Sequence, residues 1–180
     1  MRVFILLTSS RLVQERRGVH ARFLVASLMI SRSIRRDAVC CLYLRDAGYA
    51  LLFYGSKIRQ LRADEPSAFG IINKAIKMLG KVKSPHSGVY ILQADIRDIV
   101  RKFYTDAIFV RDDKHGKKIS EFLSSHEKIP RSFTYITYVE DSESTIEPVE
   151  KCIKISFPKS YSPEQEVVIL NMLIDNKVRT

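Results

Sequence analysis

The chain has 180 residues and is 46% hydrophobic, which is enough for one domain with a packed core. No apolar stretch approaches the roughly 20 residues of a membrane-spanning helix, and the start MRVFILLTSS leads into Arg-rich sequence without a signal cleavage site, so we expect a soluble, cytoplasmic protein. The net charge is +10, and residues 1–62 hold twelve basic residues against three acidic ones. Clustered arginines match phosphate oxygens, so this charge is compatible with an RNA or DNA partner, and equally with a solvated basic face that binds nothing.

The first half of the chain reads as strand, helix, two more strands and a helix. Val3 to Leu7 is predicted as a buried strand, and Arg22 to Ile30 has the apolar spacing of a short helix. Ala38 to Leu44 and Tyr49 to Tyr54 are β-rich runs separated by the turn signal Arg45-Asp46-Ala47-Gly48, which predicts an N-terminal β-hairpin. The next segment has apolar residues at helical spacing with lysines between them, which predicts an amphipathic helix: Phe69, Ile72, Ile76 and Leu79, with Lys74, Lys77 and Lys81.

Strands and helices alternate in the second half, which predicts an α/β layer structure with a mostly parallel sheet. The predicted strands are Ala107 to Val110, Tyr135 to Val139 and Ile153 to Phe157. The predicted helices between and before them are Ile96 to Phe103 and Gly116 to Ser125.

The last helix is the best-marked element. Ser162 is its predicted N-cap, Pro163 suits the first helical position, and Gln165 completes a capping box. Val167 to Ile174 is apolar nearly all round, so we expect burial on more than one side, in the core or against a partner subunit.

Common cofactor and metal motifs are missing from the sequence. The seven glycines form no G-x-G-x-x-G, no G-x-x-x-x-G-K-[ST] and no G-x-S-x-G. Cys40 and Cys41 are adjacent, and strand alternation turns them to opposite faces, so we interpret them as small apolar filler. The histidines are scattered without metal-ligand spacing, and we expect no metal.

The segment Ser31-Arg32-Ser33-Ile34-Arg35-Arg36-Asp37 is the clearest candidate for chemistry, between a helix and a buried strand. In one interpretation, one arginine binds phosphate while Asp37 orients the other, which stabilises negative charge on a base or a reacting oxygen. In the other, Arg36 and Asp37 form only a local ion pair that fixes the turn.

Four short tracts follow one another in a recognisable order. They are Ile34 to Asp37, Tyr54 to Ser56, Asp64 to Pro66 and Gly88 to Tyr90, followed by the ending KISFPKSYSPEQEVVILNMLID. Together they resemble the archaeal tRNA pseudouridine N1-methyltransferase family of the SPOUT superfamily, from about Gly18 to the C-terminus. The resemblance implies one domain over residues 1–180, a deep trefoil knot at about 105–180, and an obligate homodimer.

The resemblance also implies that loops of the knot bind S-adenosylmethionine in a bent conformation. The corresponding residues lie at three strand ends and at the start of the last helix: Val110, Arg111, Val139, Glu140, Ser156, Phe157, Pro158, Lys159, Ser160 and Val167. We interpret residues 1–62 as the RNA-facing part. Its predicted RNA contacts are Arg16, Arg17, Arg22 and Arg32.

The implied reaction is methylation of N1 of a pseudouridine in the tRNA T-loop. That nitrogen must lose a proton, and an arginine against a ring carbonyl would stabilise the resulting anion. We predict that Arg35 and Arg36 contact the substrate and that Asp37 orients them. Asp37 is a weaker choice as the base, because two arginines stabilise its charged form.

One segment departs from the family pattern. Where family members carry a glycine-rich turn of the type G-D-H-x-G, this chain has Glu140-Asp141-Ser142-Glu143-Ser144, and glutamate does not supply the positive φ of glycine. Two other functions therefore stay open. One is a SPOUT-like RNA-binding protein without methyl transfer, and the other is a methyltransferase of the same fold that acts on ribosomal RNA.

Overall fold

Strands and helices alternate along most of the chain. The structure, a computed structural model, describes residues 1–31, 33–124, 130–139, 151–158 and 160–177. The predicted site residues Arg32, Glu140 and Lys159 lie outside these ranges, as does the Glu140–Ser144 segment. The elements are, in chain order, β1 (Arg2–Thr8), α1 (Ser10–Glu15), α2 (Arg17–Leu28), β2 (Met29–Ile30), β3 (Ser33–Ile34), β4 (Ala38–Leu44), β5 (Tyr49–Tyr54), α3 (Glu65–Lys77), β6 (Val89–Gln93), α4 (Ile96–Phe103), β7 (Ala107–Arg111), β8 (Lys117–Lys118), α5 (Ile119–Ser124), β9 (Phe133–Tyr138), β10 (Ile153–Ser156) and α6 (Pro163–Lys177).

A mostly parallel sheet organises the fold, which confirms the predicted α/β class. Its strand order is β6-β5-β4-β1-β9-β7-β10-β8. Neighbours from β4 to β8 are parallel, whereas β5 is antiparallel to both β4 and β6. The parallel strands therefore begin at one edge, which we name the amino edge, and end at the other, the carboxyl edge. The carboxyl edge is marked by the last residues of five strands: Thr8, Leu44, Tyr138, Arg111 and Ser156.

Each face of the sheet carries its own apolar core. Every residue of β1 and β4 is buried, because both faces of these central strands are covered. Helices α2, α3 and α6 pack on one face, and α4 packs on the other. Cys40 lies in the first core and Cys41 in the second, as the alternation predicts, and burial raises the pKa of both thiols. None of the described helices is long and apolar enough to cross a membrane.

The first helical segment differs from its prediction. The helix predicted at Arg22 to Ile30 begins earlier, at Arg17, and ends at Leu28, and the short helix α1 precedes it. Ser9 starts α1 by accepting a hydrogen bond from the Leu12 amide at 3.2 Å. Six residues are fewer than two helical turns, so α1 carries too little apolar periodicity to be recognised in the sequence.

The last helix begins where the sequence predicts, at Pro163, and it buries two polar side chains. The Ser162 amide donates to the side chain of Gln165 at 2.9 Å, which is one half of a capping box. Val167 to Ile174 is apolar except for Asn171, and both Asn171 and the preceding Glu166 are almost fully buried. These polar groups are tolerated because other elements supply hydrogen-bond partners, such as the Ala26 carbonyl for Asn171. Burial on more than one side stays a prediction, because Val168 and Met172 are exposed in the single chain.

Three of the tracts that carry the family resemblance, Ile34 to Asp37, Tyr54 to Ser56 and Gly88 to Tyr90, meet at the amino edge. The Gly55 amide donates to the Ala38 carbonyl at 2.9 Å, and a Cβ on Gly55 would lie 1.9 Å from the Arg35 carbonyl oxygen. The Tyr54 amide donates to the carbonyl of Gly88, whose φ is +75°. Much of the resemblance therefore reflects close backbone packing, which only glycine permits here.

Gly55→Ala is predicted to lower the free energy of unfolding by at least about 2 kcal/mol, because the new methyl group overlaps the Arg35 carbonyl. Urea denaturation followed by circular dichroism measures the change. The matched control is Gly70→Ala in α3, where an added Cβ meets nothing within 4 Å. That control should gain about 0.5–1 kcal/mol from helix propensity. Equal stability of Gly55→Ala and the native protein would contradict the packing argument.

Candidate functional site

Three adjacent parallel strands end together at the carboxyl edge. In their register Ile155 of β10 pairs with Arg111 of β7, and Val110 pairs with Ile136 of β9. The predicted cofactor residues that the structure describes lie at these strand ends and in α6. Those that are buried are Val110, Arg111, Val139, Phe157 and Val167, whereas Ser156 is half-buried and Pro158 and Ser160 are exposed.

The loop after β7 is held in one shape by a single carboxylate. Asp112 accepts hydrogen bonds from the amides of Lys114 at 3.1 Å and His115 at 2.8 Å, and it pairs with Lys154 of β10 at 2.9 Å. Burial acts to raise the pKa of Asp112, but these hydrogen bonds lower it to about 2. Gly116 closes the loop, because a Cβ there would lie 2.5 Å from the Asp112 carbonyl oxygen.

Arg111 is the centre of a polar network beneath this loop. Its Nε and Nη2 atoms donate to the two carboxylate oxygens of Asp113 at 2.9 and 3.0 Å. The guanidinium lies 4.8 Å from the ring centre of Tyr138, whose hydroxyl also donates to Asp113. Its Nη1 atom lies 2.9 Å from Oε1 of Glu166. The Arg111 side chain thus ties the ends of β7 and β9 to α6.

Glu166 is fully buried in the first turn of α6. Its Oε2 atom accepts hydrogen bonds from Tyr135 at 2.8 Å and Thr137 at 2.7 Å. Burial raises the pKa of Glu166 to about 7, although Arg111 and the two hydroxyls act to lower it. Nothing in the spacing of the sequence links Arg111, Tyr135 and Glu166, so sequence reasoning missed this network.

A second arginine joins the same turn of α6 to the neighbouring helices. Arg22, a predicted RNA contact, donates to Glu164 at 2.9 Å and to Glu65 at 2.6 Å. Glu164 is 8% exposed, and its Oε2 atom is buried without a hydrogen-bond partner among the described residues. The structure therefore places Arg22 in a link between α2, α3 and α6.

The predicted catalytic residues lie at the opposite edge of the sheet. Arg35 forms a two-bond pair with Asp175 in the last turn of α6, at 2.6 and 3.1 Å. Asp37 lies 3.5 Å from Arg2 of β1, so the local Arg36–Asp37 pair considered from the sequence is not what the structure shows. Arg36 is exposed and has no ion-pair partner among the described residues.

The two predicted halves of the site are far apart within one chain. Arg35 to Asp37 precede β4 at the amino edge, and the predicted cofactor residues follow β7, β9 and β10 at the carboxyl edge. The seven-residue strand β1 spans the distance between the edges. At about 3.3 Å per residue this separation is about 20 Å.

Exposed cations on the helical face complete the charged surface. Arg16 and Arg17 are exposed at the start of α2, and Arg17 lies over the ring of Phe69 at 5.3 Å. A cleft of about 360 Å³ lies between three parts of the chain: the segment after β5, helix α3 and the segment before β6. Its lining residues are Gln60, Arg62, Ser67, Gly70, Ile71, Lys74 and His86. In the part of the chain that the structure describes, no group of three His, Cys, Asp or Glu residues is arranged to hold a metal ion.

The structure defines an α/β protein with a mostly parallel sheet, in which three adjacent strands end together at the carboxyl edge. A family model described as "Putative SAM-dependent RNA methyltransferase" matches residues 9–178. The chain belongs to this family of S-adenosylmethionine-dependent RNA methyltransferases. This confirms the resemblance and the cofactor that the sequence predicts.

Individual relatives agree with this membership. Proteins of Thermococcus kodakarensis and Methanocorpusculum labreanum, both named tRNA (pseudouridine(54)-N(1))-methyltransferase, are each 26% identical to this chain. The matches cover 86% of this chain and 82% and 80% of those proteins. The crystal structure of Archaeoglobus fulgidus Nep1 bound to S-adenosylhomocysteine has a TM-score of 0.65, covers 99% of both chains and is 13% identical. That similarity shows the fold.

We predict that Glu166 makes stability depend on pH. Its folded pKa of about 7 lies above the ordinary 4.5, so its stabilising contribution is complete below about pH 4.5 and is lost as the pH rises through 7. Relative to Glu166→Gln, the native protein should lose about 3 kcal/mol of unfolding free energy between pH 4.5 and 8. Urea titrations of both proteins across this range measure the difference. Parallel pH profiles would contradict the assignment.

Proposed function

We propose that this protein transfers a methyl group from S-adenosylmethionine to N1 of pseudouridine 54 in the T-loop of tRNA, in the cytoplasm. The observation that carries the proposal is the convergence of three strand ends and the first turn of α6, in a chain of this methyltransferase family. The names of the two 26% identical relatives supply the substrate and the reacting nitrogen.

The residues at the carboxyl edge fit the methyl donor. S-adenosylmethionine, when bound, supplies an electrophilic methyl group on a positively charged sulfur. At this edge the carboxylates of Asp113 and Glu166 share the one guanidinium of Arg111, which leaves one negative charge when all three groups are ionised, and a charge of this sign attracts a sulfonium. Buried apolar side chains suit the adenine ring, and we assign Val139, Phe157 and Val167 to that role. The Arg111 side chain is held by Asp113 and Glu166, so we assign it to the support of the site.

The exposed cations suit the RNA partner. Arg36 lies at the amino edge, in the Ile34 to Asp37 tract. Its side chain is exposed, so its guanidinium is open to a substrate. The cleft beside this edge adds Arg62 and Lys74, and its lining contains no acidic residue. Phosphate groups bind such surfaces through charge and give them a strong salt dependence.

Our proposal includes a homodimer, because the donor and substrate residues lie about 20 Å apart in one chain. Helix α6 runs from the carboxyl edge, at Glu164, to the amino edge, at Asp175. A two-fold axis perpendicular to α6 would place two copies of this helix antiparallel, which brings the carboxyl edge of one subunit to the amino edge of the other. Val168 and Met172 support this contact, because they are 45% and 58% exposed on α6.

Our proposal also includes the trefoil knot expected from the family. In the sheet, β7 lies between β9 and β10, although β9 and β10 follow it in the chain. This strand order supports the proposal, because it is the order that a threaded C-terminal part requires.

The protein residues have two tasks in the reaction. The pseudouridine N1 atom gives up its proton as it takes the methyl group, and Arg36 stabilises the negative charge on the ring. The proton passes to solvent water, and Asp37, which lies 3.5 Å from Arg2, positions the amino edge. Arg35 holds α6 through Asp175 and so positions the amino edge.

The function is tested with tRNA transcripts that carry pseudouridine or uridine at position 54. After incubation with S-adenosylmethionine, mass spectrometry of the digested nucleosides should show N1-methylpseudouridine in the first transcript alone. Uridine is the matched control, because its N1 atom forms the glycosidic bond and has no free valence. Methylation of a pseudouridine-containing ribosomal RNA fragment in preference to tRNA would overturn the substrate. Tight RNA binding without any methyl transfer would overturn the reaction.

Met172→Glu is predicted to convert the dimer into a folded monomer and to reduce methyl transfer at least tenfold. The substitution places a charge in the proposed α6 contact, and the exposed position leaves the core intact. Sedimentation velocity measures the oligomeric state, and circular dichroism checks the fold. The matched control is Val82→Glu, since Val82 is 44% exposed and far from α6 in the sequence. A Met172→Glu dimer with native activity would contradict the proposed contact.

A further inference from the structure

At the first turn of α6, two pairs of carboxylates each share a single guanidinium, in a protein of net charge +10. Under the first turn of α6, a single guanidinium, that of Arg111, is shared by the carboxylates of Glu166 and Asp113. When all three groups are charged, this cluster carries a net charge of −1. On the other side of the same turn, the single guanidinium of Arg22 is likewise shared by two carboxylates, those of Glu65 and Glu164.

The other described groups that face Glu166 leave this charge in place. Thr137 is not titratable, and burial raises the pKa of Tyr135, so that hydroxyl stays neutral. Tyr138, which contacts Arg111 and Asp113, also stays neutral, because burial raises its pKa to about 12. At the rim, Asp112 and Lys154 pair with each other and cancel. Lys114, Lys117 and Lys118 of the adjoining loop and β8 are exposed, so water and salt screen their charges more than those of the buried cluster. The positive end of the α6 dipole offsets part of the charge, by at most about half an elementary charge.

The reaction changes the charge of the ligand at this edge. The donor has a sulfonium, and the product, S-adenosylhomocysteine, has a neutral thioether at the same position. The adenosine and amino acid parts are common to both molecules. A buried negative charge near the site therefore stabilises the donor complex and leaves the product complex almost unaffected.

We propose that Glu166, together with Asp113, makes the donor site selective for the cationic methyl donor over its neutral product. The carboxylates exceed the single guanidinium of Arg111 by one charge, and burial of Glu166 limits screening by water and salt. The consequence is exchange of product for donor after each methyl transfer. This inference rests on the proposed placement of the donor at the carboxyl edge.

The inference is tested by isothermal titration of S-adenosylmethionine and S-adenosylhomocysteine into the native protein, Glu166→Gln and Asp113→Asn at pH 8. The quantity compared is the ratio of the two dissociation constants, because loss of structure weakens both ligands alike. In Glu166→Gln the preference for the donor should fall about fivefold to tenfold. In Asp113→Asn, where the side chain is 24% exposed, the fall should have the same direction and be smaller.

Thr137→Val is the matched control. It removes a 2.7 Å hydrogen bond to Glu166 and keeps the carboxyl group. Because this bond lowers the pKa of Glu166, the control and the native protein are compared at pH 9, where the carboxyl is charged in both and both ligands should change by the same factor. At pH 6 the native ratio should approach that of Glu166→Gln, because the buried carboxyl is then largely protonated. Melting temperatures with each ligand repeat the comparison by a second method.

The possible outcomes separate this inference from the proposed function. Unchanged ratios in both charge variants, or an equal loss of both ligands in Glu166→Gln, would overturn the selectivity and leave methyl transfer standing. A native protein that binds neither ligand would overturn the proposed donor site, and this inference with it.

Discussion

Helix α6 is held at both ends by carboxylates that pair with arginines from other elements, and the arrangement of both edges depends on this. In its first turn Glu164 pairs with Arg22 and Glu166 with Arg111. In its last turn Asp175 pairs with Arg2 and Arg35, which lower the pKa of Asp175 although burial acts to raise it. Buried ion pairs add little net stability, but loss of one partner is costly. Their effect is to fix where α6 lies.

These ion pairs account for part of the basic composition in the first third of the chain. The first third of the chain has nine more positive than negative charges, which favours a polyanion. Arg2, Arg22 and Arg35 are part of that excess, yet the structure uses all three to hold α6. The basic residues left for RNA are fewer and lie elsewhere, for example at Arg36 and Arg62. Composition alone left a nucleic-acid partner and a solvated basic face equally open, and it could not show that three of these arginines hold α6.

Much of the fold could be predicted from the sequence, because β1, β4, β5 and β9 are apolar runs of clear period and α6 carries a cap signal. The ends of β7, β9 and β10 were assigned to the cofactor through the family resemblance, and the structure brings them together. The Arg111–Glu166 contact could not be predicted, because it joins residues 55 positions apart through burial. The close approach of Gly55 to the Arg35 carbonyl could not be predicted for the same reason, since it depends on tertiary packing.

The two edges of the sheet differ in charge in a way that suits two different ligands. The amino edge presents exposed cations such as Arg36, Lys57 and Arg131, which favour phosphate. The carboxyl edge places Asp113 and Glu166 around one guanidinium, which favours a cation. These local charges fit the proposed function, in which the donor binds at the carboxyl edge and the RNA at the amino edge. Opposite edges of a parallel sheet keep these two groups of charges about 20 Å apart, and in the proposed function a second subunit would bring them together.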